Sequence, residues 1–155
     1  MYKYSLLLLA LAFSSTSSAE EASNAPTAIA QAPLLPWTTD YEQAIVTAKT
    51  ESLPIYLFFT GSTWCIWCKK MEKELHEQDS FRQKLVGKFL FVKVDLPAGA
   101  QPSENVKNLM KKYNIRGVPT VLILSPEGQE LARFRYQKIE PEAYADLVVN
   151  SLTSV

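Results

Sequence analysis

The stretch Trp64-Cys65-Ile66-Trp67-Cys68 holds both cysteines of this 155-residue chain, with two residues between them. A continuous apolar run, residues 55–59, precedes it, as is typical of a buried strand. A segment with apolar residues at helical spacing follows from Ile66. Two thiols three positions apart on the first turn of a helix can close into a disulfide and reopen. That arrangement suits two-electron exchange with other thiols and disulfides.

The two cysteines are predicted to have different roles. Cys65 lies at the start of the predicted helix, where unpaired backbone N–H groups and the helix dipole favour an anion, so we expect it to be the attacking thiolate. Lys69 and Lys70 are close in sequence and would add to this effect. Cys68 begins an apolar stripe of the same helix, and burial keeps a thiol neutral. Cys68 is therefore the predicted resolving thiol, which releases the product from a mixed disulfide.

Other uses of the two cysteines fit less well. A purely structural disulfide over so short a loop would constrain the unfolded chain little. Zinc normally takes four ligands, which two thiolates and His76 do not supply, so we predict no metal and no cofactor beyond the Cys65–Cys68 disulfide. As a base for Cys65, His76 is too distant, about 16 Å along a helix. It is predicted to be an ordinary surface histidine.

Two tryptophans flank the attacking cysteine. Trp64 either packs over the helix start or belongs to a docking surface. Trp67 lies between the thiols and is predicted to stay partly exposed. An exposed indole beside a reactive sulfur would offer an apolar surface to unfolded or flexible substrates. Trp64 and Trp67 are therefore candidate substrate-binding residues.

The first 19 residues have the pattern of a cleaved signal peptide. Lys3 gives a positive start, residues 6–13 are apolar, and residues 17–19 are small. The apolar run is shorter than the roughly 20 residues that span a bilayer. We therefore expect export to the periplasm, a flexible leader over residues 20–36 that is rich in Ala, Ser and Pro, and one folded domain over residues 37–155. Sixteen basic residues balance sixteen acidic ones without a basic stripe, which argues against a nucleic-acid partner.

Spacing and turn residues predict an α/β fold with a mixed central sheet and helices on both faces. Thr39 and Glu42 form a capping-box pattern at the first helix. The predicted helices are residues 40–51, 65–77, a short one after Asp79-Ser80, one capped by Ser103, and one opened by Pro141. The predicted strands are residues 55–60, 89–95, 120–124 and a half-exposed edge strand over 132–136.

Two motifs and the element order resemble the thioredoxin superfamily from about Trp37 to Leu152, and its exported Dsb-type members in particular. The motifs are Trp64-Cys65-x-x-Cys68-Lys69 and Tyr113-Asn114-Ile115-Arg116-Gly117-Val118-Pro119-Thr120. The resemblance implies a thioredoxin-like fold in which Pro119 is cis and faces the thiols. It also implies that the Val118 backbone pairs with an extended substrate segment, which makes Val118 and Pro119 candidate substrate-binding residues.

The sequence departs from that family in its buried charges. The resemblance places a buried acid at Phe59 and its lysine partner near Phe91, and both positions are aromatic here. What replaces the acid is left open.

In the superfamily that the chain resembles, strong oxidants tend to have a histidine between the cysteines, so the resemblance implies that Ile66-Trp67 favours a reductant. We therefore expect a thiol–disulfide oxidoreductase, acting as a monomer, that reduces exported cysteine-containing proteins and is recharged by a membrane thiol reductase. The alternatives are a disulfide oxidase or isomerase, or a non-enzymatic binding module or metallochaperone that uses Cys65 and Cys68 to hold a soft ion such as Cu(I).

Overall fold

A computed structural model describes residues 32–153. The predicted signal peptide and most of the predicted leader lie outside the described residues. The strands are β1 Trp37–Thr38, β2 Ile55–Thr60, β3 Leu90–Asp95, β4 Thr120–Leu124 and β5 Glu130–Phe134. The helices are α1 Tyr41–Glu51, α2 Ile66–Met71, α3 Asp79–Leu85, α4 Glu104–Lys112 and α5 Pro141–Asn150, and a π-helical turn, Glu72–His76, continues α2.

The five strands form one mixed sheet in the order β1-β3-β2-β4-β5. β1 and β2 both pair parallel with β3, whereas β4 runs antiparallel to β2 and β5 antiparallel to β4. β2 is central and all six of its residues are buried, as its uninterrupted apolar sequence predicts. The predicted mixed α/β sheet is confirmed. β1 was not predicted, because two residues are too short a run to show a period of two.

Helices cover both faces of the sheet, so the chain has two core layers. Side chains alternate along β2, which sends Tyr56 and Phe58 to one layer and Leu57 and Phe59 to the other. The first layer contains the buried side chains of α3, α5 and the segment after the cysteines, and the second contains those of α1 and α4. Each large apolar side chain fully buried in this way contributes about 1.5–3 kcal/mol.

Two helix predictions need correction. The cap of α1 is Asp40, whose Oδ1 accepts the Gln43 N–H at 2.9 Å, and not Thr39. The predicted continuous helix over 65–77 is an α-helix only to Met71, after which it widens into the π-helical turn. A π-helical turn changes the hydrogen-bond step of the helix but not the residue types, so the spacing of apolar residues in the sequence does not reveal it. Leu75 and His76, adjacent in sequence, are both buried.

The packed structure begins before the predicted domain start at Trp37. Ala32 and Leu35 are each 7% exposed, and Leu35 belongs to the core layer that contains Tyr56 and Phe58. Composition suggested a leader here because Pro33 and Pro36 flank the apolar residues. Within residues 32–153, no helix combines the length and the apolar character needed to cross a membrane.

Candidate active site

The two cysteines are joined by a disulfide where β2 leads into α2. β2 ends at Thr60, a four-residue loop follows, and Cys65 occupies the N-cap position of α2 with an extended backbone. The Cα atoms of Cys65 and Cys68 are 5.2 Å apart. One turn of helix thus brings the two sulfurs into bonding contact, as their spacing predicts.

The surroundings of the two sulfurs differ. Cys65 is 6% exposed and Cys68 is fully buried. The Sγ of Cys65 accepts the backbone N–H of Cys68 at 3.1 Å, within the first turn of α2. The Sγ of Cys68 accepts the N–H of Gly61 from the loop at 3.5 Å. Cys65 is thus the less deeply buried residue of the pair, and it has a backbone donor from the first turn of α2.

The loop between β2 and the disulfide is held by the end of β3. The carboxylate of Asp95 accepts both the backbone N–H of Ser62, at 2.7 Å, and its hydroxyl, at 2.6 Å. The indole Nε1 of Trp64 donates to the carbonyl of Leu96 at 2.9 Å. Sequence reasoning missed these anchors. The available signal was that Asp95 ends a strand parallel to β2, so the carboxyl ends of both strands meet at one edge.

Gly61 allows Trp64 to lie over this loop. A Cβ built on Gly61 would fall 2.5 Å from Cε2 of the Trp64 indole, closer than real atoms approach. The chain therefore needs glycine at this position because an aromatic ring occupies the space where a side chain would be.

The two lysines after Cys68 have partners of their own. The Nζ of Lys69 donates to the carbonyl of Thr63 at 2.9 Å. The Nζ of Lys70 lies 5.1 Å from the ring centroid of Trp67, a cation–π distance. These contacts brace the loop and one indole.

An exposed apolar surface borders the disulfide. Trp64, Ile66 and Trp67 are 52%, 67% and 54% exposed, and we call these three residues the apolar rim. Trp67 also stacks at 5.7 Å on Tyr136, whose hydroxyl donates to Glu74. The predicted partial exposure of Trp67 is confirmed. Trp64 packs over the helix start, one of its two predicted alternatives: its Nε1 is bonded within the fold, while half of its surface is open.

The Val118–Pro119 peptide bond is cis, as the family resemblance implies. Pro119 is buried and Val118 is partly buried. In the sheet, Thr120 pairs with Phe59, so Pro119 lies at the end of β2 from which the cysteine loop leaves. The register thus brings the cis bond and the disulfide to the same edge of the sheet.

His76 is not the surface residue that the sequence predicts. It is 5% exposed, and its Nε2 lies 3.0 Å from the Tyr56 hydroxyl. The rings of Trp37 and Phe58 lie 5.3 Å and 4.8 Å from it. Burial, reinforced by the positive charge of Lys93, lowers the pKa of His76 to about 3. The sequence predicted only the distance of His76 from Cys65 along a helix, and that distance does not indicate which face of the helix His76 occupies.

Phe91, near which the resemblance places the lysine partner, does not share a core layer with Phe59. Phe91 pairs with Tyr56 and lies in the opposite core layer from Phe59. The β3 residues in the layer of Phe59 are Val92 and Val94. All three of these β3 positions are apolar.

Nothing in the described part of the chain groups three or more His, Cys, Asp or Glu residues as metal ligands.

Comparison with known proteins assigns the chain to a family. Residues 41–147 match the family described as thioredoxin-like domain. The chain belongs to this family. The thioredoxin-like chain also superposes on a solved structure of DsbH oxidoreductase with a TM-score of 0.73 and 29% identity, covering 90% of this chain and 96% of that one.

Dsb proteins are among its sequence relatives. The chain is 34% identical over 122 residues to the disulfide bond reductase DsbH of Chlamydia pneumoniae, covering 76% of this chain and 73% of DsbH. It is 33% identical over 101 residues to the thioredoxin-related protein DsbJ of the same organism, covering 63% of this chain and 29% of DsbJ. The predicted resemblance to Dsb-type members of the thioredoxin superfamily is confirmed, and the chain falls in the class of thiol–disulfide oxidoreductases.

Proposed function

We propose that this protein is a periplasmic thiol–disulfide oxidoreductase that acts mainly as a reductant of disulfides in exported proteins. The observation that carries the proposal is the Cys65–Cys68 disulfide at the start of α2, beside an exposed apolar rim. The name of the Chlamydia pneumoniae relative, a disulfide bond reductase, agrees with this direction. The signal-peptide pattern of residues 1–19 supports export.

The catalytic cycle uses the two sulfurs in turn. In the dithiol form, the thiolate of Cys65 attacks one sulfur of a substrate disulfide, forms a mixed disulfide and releases the other substrate sulfur as a thiolate. The thiolate of Cys68 then attacks the sulfur of Cys65, which re-forms the Cys65–Cys68 bond and releases the second substrate thiolate. Two electrons pass to the substrate, and two protons from the enzyme thiols and solvent balance the two new thiols.

The remaining site residues would bind the substrate chain. The rim residues Trp64 and Trp67 offer apolar contact area to a flexible segment. Val118 and Pro119 lie before β4, at the same end of the strands as the disulfide. There the Val118 backbone can pair with an extended segment. Because such contacts read backbone and apolar surface, we expect the substrates to be a class of exported cysteine-containing proteins. A membrane thiol reductase would return the enzyme to the dithiol form.

The direction of electron flow is supported by the residues between the cysteines. Ile66 and Trp67 carry no charge that would stabilise a thiolate and hence the dithiol form. Equilibration of the protein with glutathione should give a reduction potential nearer to the roughly −270 mV of thioredoxin than to the roughly −120 mV of DsbA. A potential as oxidising as that of DsbA would overturn the reductant assignment and favour an oxidase.

A trapping experiment tests the enzymatic role. A Cys68→Ala variant expressed with its signal sequence should accumulate mixed disulfides between Cys65 and exported proteins, because the resolving thiol is missing. Cys65→Ala is the matched control and should trap none. If Cys68→Ala captured no protein while the wild-type dithiol bound Cu(I) tightly, a metallochaperone would replace this proposal.

A further inference from the structure

Thr60 places a hydroxyl in the core without a hydrogen-bond partner. The residue is fully buried and its Oγ1 makes no hydrogen bond. A buried polar group without a hydrogen-bond partner destabilises the folded protein. The other buried threonine and serine of residues 32–153 are bonded: the hydroxyl of Thr120 donates to the Gly117 carbonyl at 2.7 Å, and that of Ser125 contacts the carboxylate of Glu127 at 2.8 Å. Thr60 therefore calls for an explanation of its own.

The sheet geometry puts Thr60 on the side of α2. Side chains alternate along β2, so Thr60 shares a face with Tyr56 and Phe58. The segment after the disulfide runs back along this face, because His76 contacts the Tyr56 hydroxyl, four residues before Thr60. Cys68, at the beginning of this segment, therefore lies near the Thr60 end of β2. The N–H of Gly61, the residue after Thr60, donates to the Sγ of Cys68 at 3.5 Å.

The core around the disulfide contains no buried carboxylate within residues 32–153. Every Asp and Glu among residues 32–153 is partly or fully exposed. Phe59 and its same-layer neighbours Val92 and Val94 are apolar. The unpartnered hydroxyl of Thr60 thus lies on the α2 side of β2, one residue before the Gly61 N–H that contacts the Sγ of Cys68.

We propose that Thr60 is a positioning residue for Cys68. When the disulfide opens, the Thr60 hydroxyl donates a hydrogen bond to the freed Sγ of Cys68 and keeps its own proton. The bond stabilises the reduced protein, whereas the oxidised protein retains an unpartnered hydroxyl. This inference rests on the proposed redox cycle, and it assigns Thr60 a part of the role that a buried acid would otherwise have.

The Thr60→Val variant tests the inference because valine has nearly the same shape without the hydroxyl. The purified protein is equilibrated with glutathione at fixed pH, and the thiol–disulfide equilibrium constant is measured. Loss of one hydrogen bond from the reduced form should shift that constant about threefold to tenfold toward the disulfide. Thr60→Ser keeps the hydroxyl and should stay within about twofold of wild type.

Ser125→Ala is the matched control. Ser125 is also a buried hydroxyl, but it follows β4 at the opposite end of the sheet, where Leu124 pairs with Ile55. Loss of the Ser125 hydroxyl should lower the stability of the oxidised and reduced proteins equally. The thiol–disulfide equilibrium constant with glutathione should therefore stay unchanged. A merely structural role of Thr60 would give the same pattern for Thr60→Val.

Equal equilibrium constants for wild type, Thr60→Val and Thr60→Ser would overturn the inference. If Thr60→Val does not fold, a crystal structure of the reduced wild-type protein decides, since Thr60 Oγ1 must then lie within hydrogen-bond distance of the Sγ of Cys68. The proposed function fails separately. A wild-type protein that equilibrates with glutathione but does not reduce protein disulfides would refute that function while leaving the Thr60 comparison valid.

Discussion

The helical segment from Ile66 to His76 has a chemically capable side chain near each end, and the two ends have opposite surroundings. At the first end, the Cys65–Cys68 disulfide lies beside an apolar rim that is more than half exposed. At the other end, His76 is enclosed by aromatic rings and bonded to Tyr56. Both ends pack on the same face of the sheet. The exposed apolar rim distinguishes the two ends, because the side chains themselves are similarly buried: Cys65 is 6% exposed and His76 is 5% exposed.

The comparison also shows how burial acts on ionisation. At the disulfide end, the backbone N–H of Cys68 donates to the Sγ of Cys65 at 3.1 Å. The aromatic surroundings of His76 disfavour its charged form and hold its pKa at about 3. A histidine that stays neutral at every physiological pH, with one nitrogen already bonded, is unsuited to shuttle protons for the disulfide.

The largest expected effect comes from replacing the cysteine at one end of the segment, and the comparison is with replacing the histidine at the other end. Cys65→Ser should reduce the rate of insulin disulfide reduction to that of a protein-free blank, because no attacking thiolate remains. His76→Gln should keep a rate within about twofold of wild type once the folded fraction is matched. A catalytic contribution of His76 would show as a loss of rate in this variant comparable to that in Cys65→Ser.

Acid should destabilise the protein through His76. Its pKa is about 3 in the folded protein and about 6.5 in the unfolded chain, so the unfolded chain binds a proton that the fold excludes. The contribution of His76 to stability is complete above pH 6.5 and falls as the pH drops toward 3. The free energy of unfolding should decrease by about 2 kcal/mol between pH 7 and pH 5.

Urea denaturation at several pH values measures this slope. His76→Phe removes the titrating group while keeping an aromatic ring, and its stability should be nearly flat over the same interval. An equally steep slope in His76→Phe would assign the acid sensitivity to other groups.

A methyl group at Gly61 should disturb the disulfide end more than its size suggests. Gly61→Ala forces the Trp64 indole to move, because the new Cβ would lie 2.5 Å from the ring. The movement breaks the bond from Trp64 to the Leu96 carbonyl and should cost about 1–3 kcal/mol of unfolding free energy. Gly117→Ala is the control, since nothing lies within 4 Å of its added Cβ, and it should change stability by less than about 1 kcal/mol.

The smallest expected effect concerns the apolar rim. Trp67→Ala should lower kcat/KM for a protein disulfide about threefold to tenfold, since an exposed indole contributes contact area to a bound chain. The rate with a small soluble disulfide should not change, because such a substrate touches little beyond the sulfurs. Equal losses with both substrates would mean that Trp67 affects the thiols and not docking.

Local chemistry in the sequence predicted much of this site. The Cys65-x-x-Cys68 spacing implies a disulfide on one helical turn, and the apolar run of β2 implies a central strand. Both follow from contacts between residues close in the chain. The anchors of the loop, Asp95 and Leu96, were missed because they lie at and just after the end of β3, more than thirty residues away.

By itself, the amino-acid sequence determined the order of the main helices and strands, the pairing of the two cysteines and the position of the cis proline. Those properties depend on spacing, on residue type and on motifs that a family shares. Only the tertiary structure decided that His76 is buried and that the Thr60 hydroxyl has no partner in the oxidised fold. Burial and hydrogen bonding depend on which distant segments pack together, and a single sequence position contains no record of its distant neighbours.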